Sequence, residues 1–265
     1  MQRYHRAFAL FTAIIALSLT GTGCQSTRNT PTDSSPAPIS ETQQVRWQKN
    51  DSGFETIPVM NQGSTTTIGV MHAFDPSRFR FAFDTATSGK SVVEWLSTSS
   101  SLVAVMNGAY FHEDFTPAGM LIHQGKEQNK RRFDADKSAV IRLAPNPSIV
   151  DTNKKFDVTG ALEAAQSYPV LLRGRHSTIT EDSGKKARRS FVGMRDDGFV
   201  VFGVIAKSEI TLYELSQLLS RDEYRLASAL NMDGGSSTGL FSHDEKTPSF
   251  NSVFPVPNVM EVYKK

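Results

Sequence analysis

The chain divides near residue 44, and that division limits what can fold. Residues 25–43 (QSTRNTPTDSSPAPISETQ) hold one large aliphatic residue, Ile39, among many Ser, Thr and Pro. Such a stretch buries too little apolar surface to offset the entropy of ordering it. Residues 24–44 therefore read as a tether. The part that can fold runs from Val45 to Lys265, about 220 residues, a length that suits one domain. Seventeen Phe, two Trp and six Tyr are enough for a sizeable core. A net charge of +2 gives no electrostatic footprint for nucleic acid. The single cysteine, Cys24, excludes an intrachain disulfide and a multi-cysteine metal site.

Ahead of the tether lies an address. Arg3, His5 and Arg6 precede an apolar run from Ala7 to Leu19. That run is shorter than the ~20 residues of a spanning helix and fits the core of a secretory signal over residues 1–23. It ends in Leu19-Thr20-Gly21-Thr22-Gly23-Cys24, which resembles a bacterial lipoprotein signal, with Gly21 where an aliphatic residue is usual. The resemblance implies lipidation of Cys24 and a lipid anchor in the cell envelope, the only expected link to a membrane. Gln25 after the cysteine implies the outer membrane, facing the periplasm. The alternative is ordinary cleavage near Gly23, leaving a periplasmic or secreted protein.

The folded part reads mainly as strands. Phe79-Arg80-Phe81-Ala82-Phe83 alternates with period two, and Thr66–Met71 and Ser138–Leu143 are apolar and partly β-branched. Further strands are expected at 168–172, 191–194, 199–204 and 258–263, with a hairpin at Asp196-Asp197-Gly198. One unit occurs twice: a capping box and short helix, an apolar strand, then a polar, glycine-bearing corner. The first opens at Ser91–Glu94 and ends at Asn107-Gly108; the second opens at Thr211–Glu214 and ends at Asn231–Gly235. Both corners are expected at one end of a shared sheet, where loops carry chemistry. With a third short helix around 160–166, the fold class is α+β: a mixed, mainly antiparallel sheet with a few short helices in a single domain.

Three clusters can carry chemistry. In Asn231-Met232-Asp233-Gly234-Gly235-Ser236-Ser237, a carboxylate stands at the end of a buried strand. Gly234 and Gly235 let the backbone approach a ligand, and the hydroxyls of Ser236 and Ser237 with nearby N–H groups can form an anion nest. The same residues also fit a tight hairpin with Asp233 in the turn. Asn107-Gly108-Ala109-Tyr110-Phe111-His112-Glu113-Asp114 offers an amide, two aromatic rings, an imidazole and two carboxylates, a mixture common in sugar sites; it equally fits a turn with buried rings. Arg189, at the entry to a strand, presents a planar fork matched to phosphate, beside the basic neighbours Lys185, Lys186 and Arg188, which also suit a solvated face. The histidines show no zinc spacing, and no phosphate-binding loop or nucleophile elbow is present.

Taken in order, Asn107–Phe111, Pro117-Ala118-Gly119, Tyr168-Pro169-Val170-Leu171, Arg189–Gly193, Asn231–Ser237 and Pro255–Asn258 resemble the phosphodiester glycosidase family over roughly residues 65–265. Two positions depart from its pattern: Ser236 replaces a third glycine, and Phe191 replaces an alanine, where a bulkier ring is expected to reshape a pocket. The resemblance implies a hydrolase that cleaves a sugar 1-phosphodiester, with a glycan or sugar phosphate as partner and an exopolysaccharide or envelope context. On that basis Asp233 is the expected catalytic residue. Arg189, Gly234, Gly235, Ser236 and Ser237 would hold the phosphodiester, Asn107 would orient the sugar, and Tyr110 would stack on it. Glu113 and Asp114 are the candidates for a second carboxylate. No cofactor is expected; a divalent cation beside Asp233 is compatible with these residues, but their spacing does not require it. Two other classes stay open: a non-catalytic envelope lipoprotein binding glycan phosphates, and a metal-dependent phosphodiesterase cleaving P–O.

Overall fold

The computed structural model describes residues 45–129, 134–152 and 158–265. The signal, Cys24 and the tether up to residue 44 lie outside the described residues. In chain order, β1 (Gln48–Lys49), β2 (Glu55–Met60), β3 (Thr67–Phe74) and β4 (Phe79–Lys90) lead into α1 (Val92–Leu96). Next come β5 (Leu102–Asn107), β6 (Leu121–His123), β7 (Lys126–Glu127), β8 (Ala139–Ala144), β9 (Ser148–Asp151), β10 (Glu163–Ser167), β11 (Val170–Arg173) and β12 (His176–Ser177). The long hairpin of β13 (Ala187–Arg195) and β14 (Val200–Ile210) precedes α2 (Leu212–Leu219), and β15 (Leu226–Asn231), β16 (Leu240–Ser242) and β17 (Val256–Lys264) complete the chain.

Among the described residues these strands form three sheets. The largest has the order β1-β2-β3-β14-β13-β15-β11-β12, a second β7-β6-β10-β8-β9, and a third β16-β5-β17-β4. Every strand pair in them is antiparallel. The fold is therefore mainly β, not α+β, and the sheets are not mixed.

The alternation in the sequence explains the layering. Phe79, Phe81 and Phe83 of β4 share a central core with Phe74 of β3, Phe202 of β14 and Ile141 of β8, so one core joins all three sheets. On the other face of the largest sheet, α2 lays Leu215, Leu218 and Leu219 against Ile205 and Ala229. On the other face of the third sheet, α1 packs Trp95 and Leu96 against Val105 and Val259. Both helices begin in the capping boxes read from the sequence, Ser91 with Glu94 and Thr211 with Glu214. The hairpin at Asp196–Gly198 is also present, with Gly198 at φ +87°.

The helix expected over 160–166 is instead strand β10, flanked by β6 and β8. Its polar side chains are committed to distant backbone. Glu163 accepts from the amides of Phe83 (2.9 Å) and Gln124 (3.0 Å), and Gln166 Oε1 accepts from those of Met120 (3.0 Å) and Asp134 (3.0 Å). These long-range bonds override local propensity. Phe191 also differs from expectation. It is fully buried with its ring over Gly203, its partner across the hairpin, where an added Cβ would collide with that ring. The ring belongs to the buried cluster that α2 covers.

Candidate active site

The two polar corners do not share a sheet. Asn107 ends β5 in the third sheet, whereas Asn231 ends β15 in the largest. They nevertheless meet, because the buried Asn107 side chain joins the two. Its Nδ2 donates to the Asp233 carbonyl (2.7 Å), while its Oδ1 accepts from Ser190 Oγ (2.7 Å) and from the Gly239 amide (3.1 Å). The Asn107 amide in turn donates to the Gly239 carbonyl (3.1 Å). With no exposed surface and both polar atoms engaged, Asn107 is held against the Asp233 turn.

The neighbouring corner is fixed from β17. Asn258 Oδ1 accepts from the Ala109 amide (2.7 Å), and its Nδ2 donates to the Ala109 carbonyl (3.1 Å). Gly108 is required here because a Cβ would strike Asn258 Oδ1. Gly234 is required for a similar reason: a Cβ would lie 2.8 Å from the Arg188 carbonyl. Gly235, at φ +59°, opens a short 3-10 turn over Gly235–Ser237.

Asp233 sits at the head of this turn. The Gly234 amide donates to its Oδ1 (3.0 Å), and the Ser237 hydroxyl also bonds the carboxylate. Burial outweighs both bonds and pushes the carboxyl up to about 6. Tyr110 lies within electrostatic reach of both Asp233 and Arg189. Its hydroxyl accepts from Asn231 Nδ2 (2.7 Å) and donates to the Tyr168 carbonyl (3.4 Å), and its ring packs against Tyr168 with centroids 5.0 Å apart. Burial, with the Asp233 charge adding to it, raises the phenol well above its ordinary range, so Tyr110 stays protonated. Tyr168 takes one face of its ring, and its hydroxyl is engaged by Asn231 and the Tyr168 carbonyl.

Arg189 is half-buried, and burial lowers its proton affinity. Its Nε donates to the Ile210 carbonyl (2.9 Å) and its Nη2 to that of Lys185 (2.7 Å), which fixes the plane of the guanidinium. These bonds use two of its five N–H donors. Glu113 and Asp114 are exposed, and Asp114 caps its own turn through the Thr116 amide (3.0 Å) and hydroxyl (2.6 Å). Among the described residues, no three His, Cys, Asp or Glu side chains gather as a metal-binding set.

Sequence reasoning missed three participants. Arg188, read as one of a solvated basic run, clamps the turn through the Gly235 carbonyl (Nε, 3.0 Å). Asn231 orients Tyr110 and also donates to the Tyr168 carbonyl (2.9 Å), while its own Oδ1 is buried with no partner among the described residues. Lys137 places its Nζ 4.2 Å from the Tyr168 ring centroid. The strand end at Asn231 was a usable signal for the second of these; for Lys137 the sequence carried none.

A family model described as phosphodiester glycosidase matches residues 100–263. Among solved structures, the chain is similar to the zebrafish N-acetylglucosamine-1-phosphodiester α-N-acetylglucosaminidase catalytic domain auto-inhibited by its pro-peptide. The identity is 13% and the TM-score 0.56, over 83% of this chain and 82% of that one. It is also similar to a hypothetical protein from Synechocystis, at 12% identity and TM-score 0.54, over 80% of this chain and 62% of that one. At these identities the structural likeness concerns the fold. No curated protein matches.

The raised Asp233 carboxyl has a consequence for stability. Unfolding returns it to an ordinary aspartate near 3.8. Between about pH 4 and 6 the folded state therefore holds the extra proton, and stability falls as pH rises through that window. Asp233→Asn should unfold at higher urea than wild type at pH 7, by about 1–3 kcal/mol, with the gap closing below about pH 4. A variant equal to or weaker than wild type at pH 7 would contradict the burial argument.

Proposed function

The chain belongs to the phosphodiester glycosidase family, and from that premise we propose that it hydrolyses a sugar 1-phosphodiester. The observation that carries this reading is the enclosed Asp233 carboxyl, raised to about 6 within electrostatic reach of the Tyr110 phenol, which Arg189 also reaches. A base poised near neutrality suits activation of water. Arg189 and the turn at Gly234–Ser237 would take the phosphate charge. That the zebrafish relative is an N-acetylglucosamine-1-phosphodiester glycosidase supports the substrate class.

In the proposed step, ionised Asp233 takes a proton from water and the water oxygen bonds to the anomeric carbon. The bond from that carbon to the phosphate oxygen breaks, and the phosphate monoester leaves with the electron pair. Such a leaving group is a weak base, so neutralising its charge by Arg189 stands in for a strong acid. Asn107 serves by holding the Asp233 turn.

The N-terminal run and Cys24 support a place in the bacterial cell envelope, anchored by lipid at the outer membrane and acting on an envelope or extracellular glycan. Feeding cells an alkyne fatty acid should label wild type and not Cys24→Ser; an unlabelled wild type removes the anchor.

The activity is tested by incubating the full-length protein with a panel of sugar 1-phosphodiesters in oxygen-18 water. Label is expected in the sugar hydroxyl; label in the phosphate product would indicate a phosphodiesterase. The rate should rise through about pH 6 to a plateau, because the base must be ionised. Asp233→Asn should lose at least about 100-fold in kcat, and Arg189→Ala about 100-fold in kcat/KM. Full activity in folded Asp233→Asn would end the assignment.

A further inference from the structure

A cleft of about 380 Å3 opens at the start of β5, lined by Ser52, Ser100, Ser101, Val103, His243 and Lys264, among others. Leu102 and Asn107 are the first and last residues of β5, which at ~3.3 Å per residue puts this cleft roughly 17 Å from the corner that meets Asp233. It is a place of its own, separate from the candidate active site. Four segments build its wall: the turn between β1 and β2, the loop into β5, the residue after β16 and the end of β17.

The backbone fixes each of these segments. Val103 is the extra residue of a β-bulge: Val262 and Tyr263 are consecutive in β17, yet they pair with Ala104 and Leu102. A bulge re-aims the strand that carries it, and bulges gather at sheet edges and beside functional sites. The Val103 carbonyl accepts from the His243 amide (3.1 Å), which holds His243 at the rim. In the turn, the Gly53 amide donates to the Asn50 carbonyl (3.1 Å) and Arg78 Nη1 donates to the Gly53 carbonyl (3.2 Å), so Ser52 is presented from a fixed corner. In the loop, the Leu102 amide donates to the Ser99 carbonyl (3.2 Å), and the hydroxyls of Ser99 and Ser101 share a hydrogen bond (2.8 Å).

The polar groups of the cleft are hydroxyls, an imidazole and an ammonium. Among the described residues, the side chains of Ser52, Ser100, His243 and Lys264 make no hydrogen bond or ion pair. No carboxylate of the described residues lines the cleft. The neighbouring acids are otherwise engaged: Asp51 accepts from Lys246 Nζ (2.7 Å), and the buried Asp244 accepts from the Lys246 amide (3.0 Å). An ammonium can only donate, and each hydroxyl and one imidazole nitrogen can donate as well. Such a set suits a compact ligand with several acceptor oxygens and a negative charge, for which Lys264 supplies the point charge. The volume lies at the small end of ligand sites, roughly 300–1,000 Å3.

We propose that this cleft is an anion site for a phosphate-type oxyanion, free or carried as a monoester. The inference goes beyond the glycosidase reading and does not rest on it, because none of its residues belongs to the Asp233 site.

The test measures binding. The full-length protein is titrated at constant ionic strength with inorganic phosphate and, separately, with a hexose 6-phosphate, and its amides are followed by nitrogen-15 NMR. Saturable shifts are expected at Ser100, Ser101, Leu102 and His243. Tighter binding of the hexose 6-phosphate would assign the site to a monoester, and tighter binding of inorganic phosphate would assign it to the free ion. Lys264→Met and Ser100→Ala, both at exposed positions, should each weaken that binding about tenfold. Arg189→Ala should leave it unchanged. Amides that stay unmoved in both titrations overturn the proposal, as does an affinity that neither Lys264→Met nor Ser100→Ala lowers. Equal shifts with sodium nitrate, or binding at these amides that is lost in Arg189→Ala, overturn it too.

Discussion

Asn107 is the point at which two sheets become one site. Its buried amide receives hydrogen bonds from Ser190 at the start of one sheet's hairpin and from the Gly239 amide, and gives one to the Asp233 carbonyl. Every one of these groups is a strong hydrogen-bonding partner that is expensive to leave unmatched in the interior. Removing the amide would orphan several of them together. The Asp233 turn is therefore set by contacts on both sheets, and its carboxylate inherits a position that the turn alone could not fix.

From that position the electrostatics follow. The carboxyl is enclosed deeply enough to resist ionisation, yet Gly234 and Ser237 supply hydrogen bonds that keep the charged form within reach near neutral pH. Tyr110 is kept as a phenol by the same burial and is aligned by Asn231. Arg189 of β13 lies within electrostatic reach of the same phenol, which places a cation near the carboxyl in a member of the phosphodiester glycosidase family.

Much of this was legible in the sequence wherever the deciding interaction was local. The alternation in Phe79–Phe83, the two capping boxes and the turn at Gly198 are set by neighbours within a few residues, and each is found where the pattern placed it. What was illegible depends on partners far along the chain. Residues 163–167 form a strand because Glu163 and Gln166 accept from backbone amides of other segments. The assignment of the two corners to different sheets depends on strand register, which no short window contains. Asn107 shows the limit most sharply: an Asn-Gly corner suggests a turn or a ligand contact, but its amide answers to Asp233, 126 residues away. Arg188 and Arg189 are adjacent in a basic run, and only the packing separates a clamp on the turn from a guanidinium beside Tyr110.

The account stands most directly on the state of one carboxyl group. A carbon-13 NMR titration of the Asp233 side chain in the full-length protein should give a midpoint near 6. In Ser190→Ala, which removes one support of the Asn107 amide, the midpoint should move down toward the ordinary aspartate range while the fold persists. A wild-type midpoint near that of a free aspartate, or one that does not move in the variant, would contradict the claim that the bridge between the sheets sets the chemistry of Asp233.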